Sequence, residues 1–274
     1  MAIPIKTKKE IQAMCEGGEK LSRVLKKVLE NVIPGITLIE LDRLAEKLIK
    51  KQGGEPNFKM VSGYHWATCL NINQGVVHGI PNDYRLRVDD LLSIDLGMLY
   101  RSFHTDMAKT VLVQTQPQSD DPGSSDGFDP GPLSQSKSKS NYKQRFLKAG
   151  EEALKKAIQA VKAGNHIGHI SQAMGTELAR NNLRPVKILT GHGIGRKLHQ
   201  PPTIPCFLKG EIKKTLLLEP GMTLAIEAIY VEKEPDLRVE NDGWTIVTRD
   251  GGLAGLFEKT VLVREKGVQI LTDW

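Results

Sequence analysis

Four carboxylates stand where carboxylates are costly. Asp95 lies between Ile94 and Leu96 in LLSIDLGML, Asp106 opens the apolar run of FHTDMAKTVLV, Glu227 interrupts TLAIEAIYV, and Glu258 interrupts GLFEKTVLV. Glutamate is disfavoured in strands, and an unpaired carboxylate is expensive in a core. Taken alone, an aspartate near a strand end reads equally as a turn or cap residue. Between the two pairs comes TGHGIGRKLHQPP, in which His192 sits among glycines that let backbone approach a ligand closely and His199 follows after a short loop. A lone histidine there reads as structural. As a set, Asp95, Asp106, His192, Glu227 and Glu258 offer four carboxylates and one imidazole, which suits a pair of hard or borderline divalent ions. Four negative charges in one pocket would repel strongly without cations. Two metals roughly 3.5–4 Å apart can share bridging carboxylates, hold a hydroxide and polarise a scissile carbonyl. The absence of sulfur from the set argues against a structural zinc site.

Residues so far apart in sequence need elements that bring them together. Thr7 with Glu10 has the spacing of a capping box, and the apolar residues that follow at helical intervals predict a long helix to about Val32. Pro34 and Gly35 break it. Thr37 with Glu40 opens a second helix that ends near Gly53. From Trp66 to Val113 the texture changes to short apolar runs, ATCLNI, GVVHGI, LLSIDLGML and AKTVLV, which read as antiparallel strands. A turn near Leu99 to Ser102 would return the chain so that Asp95 and Asp106 face one site.

A similar order recurs later in the chain. Helices through Leu147, Leu154, Ile158 and Val161, then Ile170, Met174 and Leu178, precede VKILT, MTLAIEAIYV, WTIVT and LFEKTVLV. Both helix pairs are joined by a Gly-centred elbow, at Gly35 and at Gly164. The chain therefore reads as one α+β catalytic domain, 1–274, made of two α-then-β halves, 1–113 and 143–274. A single curved antiparallel sheet covered by helix pairs is expected. Residues 114–142, rich in Pro, Gly, Ser and Asp, read as a flexible insertion at the junction.

Bulk properties narrow the class. Three widely spaced cysteines, Cys15, Cys69 and Cys206, with no CxxC pair and no signal peptide, argue for a reducing compartment, so a cytoplasmic location is expected. No apolar stretch reaches the length needed to span a bilayer. The net charge of +6 is carried mostly by lysines beside glutamates on helices, a solvated face, so no specific nucleic-acid partner is expected.

These segments resemble type I methionine aminopeptidases: VVHGIP around His78, SIDLG with Asp95, HTDMAKT with Asp106, GHGIG with His192 and His199 beyond it, IEA with Glu227, DGWTIVT with Trp244 and FEKTV with Glu258. They occur in the family's order and span almost the whole chain apart from the insertion. The resemblance implies the pita-bread (creatinase/aminopeptidase) fold and a metal-dependent aminopeptidase that removes the initiator methionine from nascent proteins, preferring small second residues, by a dimetal-activated hydroxide. It implies two divalent ions per chain, cobalt, manganese, iron or zinc. Asp106 and Glu258 would bridge them, Asp95 would complete one ion and His192 with Glu227 the other. His78, His199 and Glu227 would be catalytic, the histidines contacting substrate near the scissile amide and Glu227 moving protons. The substrate's α-amino group would bind one metal. Tyr64, Cys69 and Trp244 would line the methionine pocket, with Trp66 better read as core.

The sequence departs from the family in two places beside that pocket. Leu198 stands where an aromatic residue often precedes the second catalytic histidine, and the loop GYHWATC is shorter than usual. A type II enzyme would need a long helical insertion between GHGIG and IEA, for which His199 to Met222 leaves no room. An aminopeptidase acting before proline generally carries a large extra N-terminal domain. A non-catalytic module of the same fold, binding ribosomes or nucleic acid, normally loses some ligands, whereas all five are present here. A monomer with transient ribosome contact is expected.

Overall fold

A computed structural model describes residues 3–115 and 133–274, without side-chain detail from 133 to 140. Helix α1 spans Lys8–Leu29 and α2 Leu38–Lys51. Both begin with the expected capping boxes: Thr7 with Glu10 and Thr37 with Glu40, each side chain satisfying the other's backbone N–H. Strands β1 (Glu55–Pro56), β2 (Thr68–Ile72), β3 (Gly75–Val77), β4 (Leu91–Tyr100) and β5 (Phe103–Leu112) follow. Helices α3 (Leu133–Gln159) and α4 (Ile167–Arg180) then precede β6 (Arg184–Pro185), β7 (Thr190–Gly193), β8 (Gln200–Pro205), β9 (Thr223–Val231), β10 (Leu237–Val239), β11 (Ile246–Thr248), β12 (Ala254–Val263) and β13 (Val268–Ile270).

Among the described residues every strand pairing is antiparallel. Ten strands form one sheet along the order β1-β4-β5-β12-β9-β7-β8, with β2 and β13 flanking β4 and β12, and β6 beside β9. Two differences from the sequence reading stand out. The runs GVVHGI and WTIVT do not join this sheet; β11 pairs with β3 on one side and β10 on the other in a separate three-stranded sheet. Helix α3 begins at Leu133, ten residues inside the expected insertion, while 116–132 lie outside the described residues. The elbows match between halves, since Gly35 and Gly164 both take left-handed φ, +94° and +86°.

Alternation along the strands decides which side chains face the helices. In β4, Leu92, Ile94, Leu96 and Met98 enter a core with Leu21, Leu25, Leu41 and Ile49 of α1 and α2. Asp95 therefore points to the opposite face. In the second half, Leu224, Ile226, Ala228 and Tyr230 of β9 pack with Ala153, Ala157 and Met174 of α3 and α4, leaving Glu227 on the other side. The β4–β5 hairpin closes through Arg101 and Ser102, both with positive φ, the conformation that a two-residue turn between twisted strands requires. This is the turn expected near Leu99 to Ser102.

Candidate metal centre and active site

The register places the acids in one row. Cys69 lies opposite Asp95, Asp95 opposite Ala108, Ala108 opposite Glu258, and Glu258 opposite Glu227, across five neighbouring strands. Directly paired residues of an antiparallel sheet share a face. Asp106 is two positions from Ala108 on β5, and His192 pairs with Ala225, two positions from Glu227, so both join the same face. One cavity of about 180 Å³ is lined by Asp95, Asp106, His192, Glu227 and Glu258 together with His78, His199, Tyr64, Cys69 and Trp244. Every site residue expected from the sequence thus reaches a single space, and Trp66, which stacks edge-on against Tyr64 at 5.4 Å, is not among the cavity's lining.

Ligand atoms of Asp106, His192 and Glu258 fall within 4.8 Å of one another. Three observations show that this donor set fits divalent cations. Asp95 Oδ1 and Glu258 Oε1 are buried with no hydrogen-bond partner. His192 Nδ1 lies 2.9 Å from the Gly193 carbonyl, which can only accept, so that nitrogen carries the hydrogen and Nε2 presents a bare lone pair. That lone pair faces Glu227 Oε1 at 3.5 Å. Two acceptors opposed in this way need a proton or a metal ion between them.

The electrostatics agree. Burial pushes Asp95, Glu227 and Glu258 well above the usual carboxylate range, and the neighbouring acids, with Asp106 first in each case, push them further. Burial raises Asp106 to about 7 against an opposing hydrogen bond from Met107 N–H. Burial, then repulsion from His199, lowers His192 to about 4, so its imidazole is neutral and able to ligate at neutral pH. His78 and His199 reach solvent at the cavity mouth, yet the protein atoms crowding them lower both, His199 adding repulsion at His78.

Several residues escaped the sequence reading or play a different part from the one expected. The glycines flanking His192 serve strand packing, not ligand approach: a Cβ at Gly191 would meet Ala225 O at 2.5 Å, and one at Gly193 would meet Pro201 O at 2.2 Å. His78 takes a left-handed φ of +58° just past β3, which turns its ring toward the cavity, 6.5 Å from Trp244. Phe58 and Val61, in and just after a short 3-10 helix at Asn57–Met60, form part of the apolar wall with Val77 and Leu198. No periodicity or misplaced charge marks these residues. His104 is buried two positions before Asp106 with its Nδ1 unpartnered, and its position in HTDMAKT was the available signal.

The metallopeptidase family M24 profile matches residues 12–265. A methionine aminopeptidase of Clostridium perfringens is 34% identical over 270 residues, covering 98% of each chain. The crystal structure of a methionine aminopeptidase from Thermotoga maritima superposes with a TM-score of 0.86 at 32% identity over 100% of both chains. A prolidase from Pyrococcus furiosus shares the fold at a TM-score of 0.71 and 24% identity; the match covers 98% of this chain and 65% of that longer one. On the strength of the profile and of relatives matched end to end, this chain belongs to metallopeptidase family M24.

Proposed function

We infer that the protein is a methionyl aminopeptidase: a metal-dependent exopeptidase that hydrolyses the first peptide bond of chains beginning with methionine and followed by a small residue. The observation that carries this is the meeting, in one small cavity, of four carboxylates, two buried and two largely so, and a bare imidazole nitrogen with an apolar box. At about 180 Å³ the cavity is smaller than the roughly 300–1,000 Å³ that takes a drug-sized ligand, which suits one terminal residue better than a run of peptide. Family membership and the names of the full-length relatives support the same conclusion.

The box supports methionine. Tyr64 donates its hydroxyl to Thr68 O at 2.8 Å, so it offers the substrate only its ring. Burial pushes the Cys69 thiol well up, keeping it neutral. With Phe58, Val61, Leu198 and Trp244 these side chains make a wall on which a flexible thioether packs well and a polar side chain would lose its hydration without replacement.

Asp95, Asp106, His192, Glu227 and Glu258 would hold two divalent ions. Such ions would polarise the scissile carbonyl, acidify a water and anchor the substrate's α-amino group. Glu227, whose carboxyl environment favours the protonated form, is suited to take a proton from the attacking water and pass it to the leaving amine. His78 and His199, neutral at the mouth, would donate or accept hydrogen bonds at the scissile amide. The basic balance of +6 supports transient contact with the ribosome in the cytoplasm; co-sedimentation that persists at moderate salt supports that contact, and none at low salt refutes it.

The test is a peptide assay after chelation and metal readdition, comparing Met-Gly, Met-Leu and X-Pro substrates. Methionine release from Met-Gly, restored by metal and abolished in Glu227→Ala, is expected. Cleavage before proline in preference, or a near-normal rate in Glu227→Ala, would refute the assignment.

A further inference from the structure

The halves meet at a seam in which two threonine hydroxyls take over part of the backbone ladder. Strands β5 and β12 pair through only two residue pairs, Ala108 with Glu258 and Met107 with Lys259. On one side of those pairs, Thr260 Oγ1 accepts from Asp106 N–H at 2.9 Å and donates to the Asp106 carbonyl at 2.8 Å. On the other side, Thr110 Oγ1 accepts from Leu256 N–H and donates to the Leu256 carbonyl, both at 2.8 Å. In each strand the gripped residue lies four positions before the threonine, so the two clasps correspond between the halves. A hydroxyl standing between N–H and C=O holds the strands wider than the roughly 4.8 Å of a direct ladder.

The clasps differ in what they grip. Thr110 holds the backbone of an apolar residue, whereas Thr260 holds the backbone of Asp106, whose carboxylate belongs to the cluster with His192 and Glu258. A further hydroxyl backs each clasp: Ser93 Oγ lies 2.8 Å from Thr110 Oγ1, while at the Thr260 clasp Thr272 Oγ1 accepts from Thr260 N–H at 2.8 Å and donates to Asp106 O at 3.3 Å, so only there does the second hydroxyl also hold the gripped backbone. Thr260 and Thr272 are fully buried.

We propose that Thr260, backed by Thr272, is a positioning residue for the metal centre: its hydroxyl fixes the Asp106 backbone at the widened seam so that the carboxylate meets Glu258 and His192 at ligating distance. The proposal rests on the reading of Asp106 as a metal ligand. Removing the hydroxyl while keeping the shape, Thr260→Val, leaves the Asp106 N–H unpaired and its carbonyl with only the longer Thr272 contact, both buried.

The experiment titrates manganese(II) alone into chelator-stripped wild type, Thr260→Val, Thr260→Ser and Thr110→Val by calorimetry, with thermal unfolding of each metal-free protein alongside. Both valine variants should melt below wild type, since each loses one buried clasp and Thr110→Val also strands Ser93 Oγ. Thr260→Val should bind manganese on the order of 10–100-fold more weakly, as for other lost partners of ligands, while Thr110→Val stays within about twofold of wild type and Thr260→Ser restores affinity. Equal weakening in the two valine variants, or wild-type affinity in Thr260→Val, would overturn the proposal. Failure of wild type itself to take up manganese would bring down the metal reading beneath it. Should Thr260→Val not fold, Thr272→Val is measured instead, where weakened binding supports the proposal and unchanged binding overturns it.

Discussion

At the scale of single residues, the site is a conflict that a cation resolves. Each of the four acids is more stable protonated where it stands, and His192 is more stable neutral. For Asp106 the folded pKa, about 7, lies above the ordinary 3.8, so the folded state binds the extra proton between those values. Its contribution to stability is full below about 4 and lost as pH climbs toward 7. His192 runs the other way: lowered from 6.5 to about 4, it contributes fully above 6.5 and loses that as pH falls. Metal ligation needs ionised carboxylates and a neutral imidazole together, so the metal-induced rise in melting temperature should grow steadily from pH 5 to pH 7.5. Differential scanning fluorimetry with and without manganese checks this, and a rise that is flat or falls with pH contradicts it.

At the scale of elements, the short loop at 63–69 shows how the scaffold sets the pocket. Asp42 Oδ1, from α2, accepts from Ala67 N–H and Thr68 N–H at 2.9 Å each and from Thr68 Oγ1 at 2.8 Å. This pins the end of the loop that carries Tyr64 and the start of the strand that carries Cys69. Asp42→Ala strands buried donors at a cost of about 1–3 kcal/mol each, and the loosened wall should raise KM for Met-Gly more than it lowers kcat. Steady-state kinetics beside chemical denaturation would show it; unchanged KM in a destabilised protein would contradict the role. Legibility at this scale followed locality. The capping boxes of α1 and α2 could be read because their signal spans four residues. The acids could be read because they violate the apolar pattern of their strands. Phe58 and Val61 could not, being ordinary apolar residues beside a one-turn helix, and Thr110 and Thr260 could not, because threonine is at home in strands.

At the scale of the whole molecule, two helix-covered half-sheets join edge to edge, and the site straddles the join: Asp95 and Asp106 come from the first half, His192, Glu227 and Glu258 from the second. Neither half alone holds the donor set. The paired elbows were the signal for reading two α-then-β halves, but the separation of β3, β10 and β11 into a second sheet was not legible, since short apolar runs do not announce which edge they will pair with. The same convergence explains why long-range register, and not any local motif, creates the centre. Its most direct test is an anomalous-difference map from crystals grown with manganese. Two peaks among Asp95, Asp106, His192, Glu227 and Glu258, with Asp106 and Glu258 touching both, are predicted; a map with no peak there, from crystals saturated with the metal, would contradict the account.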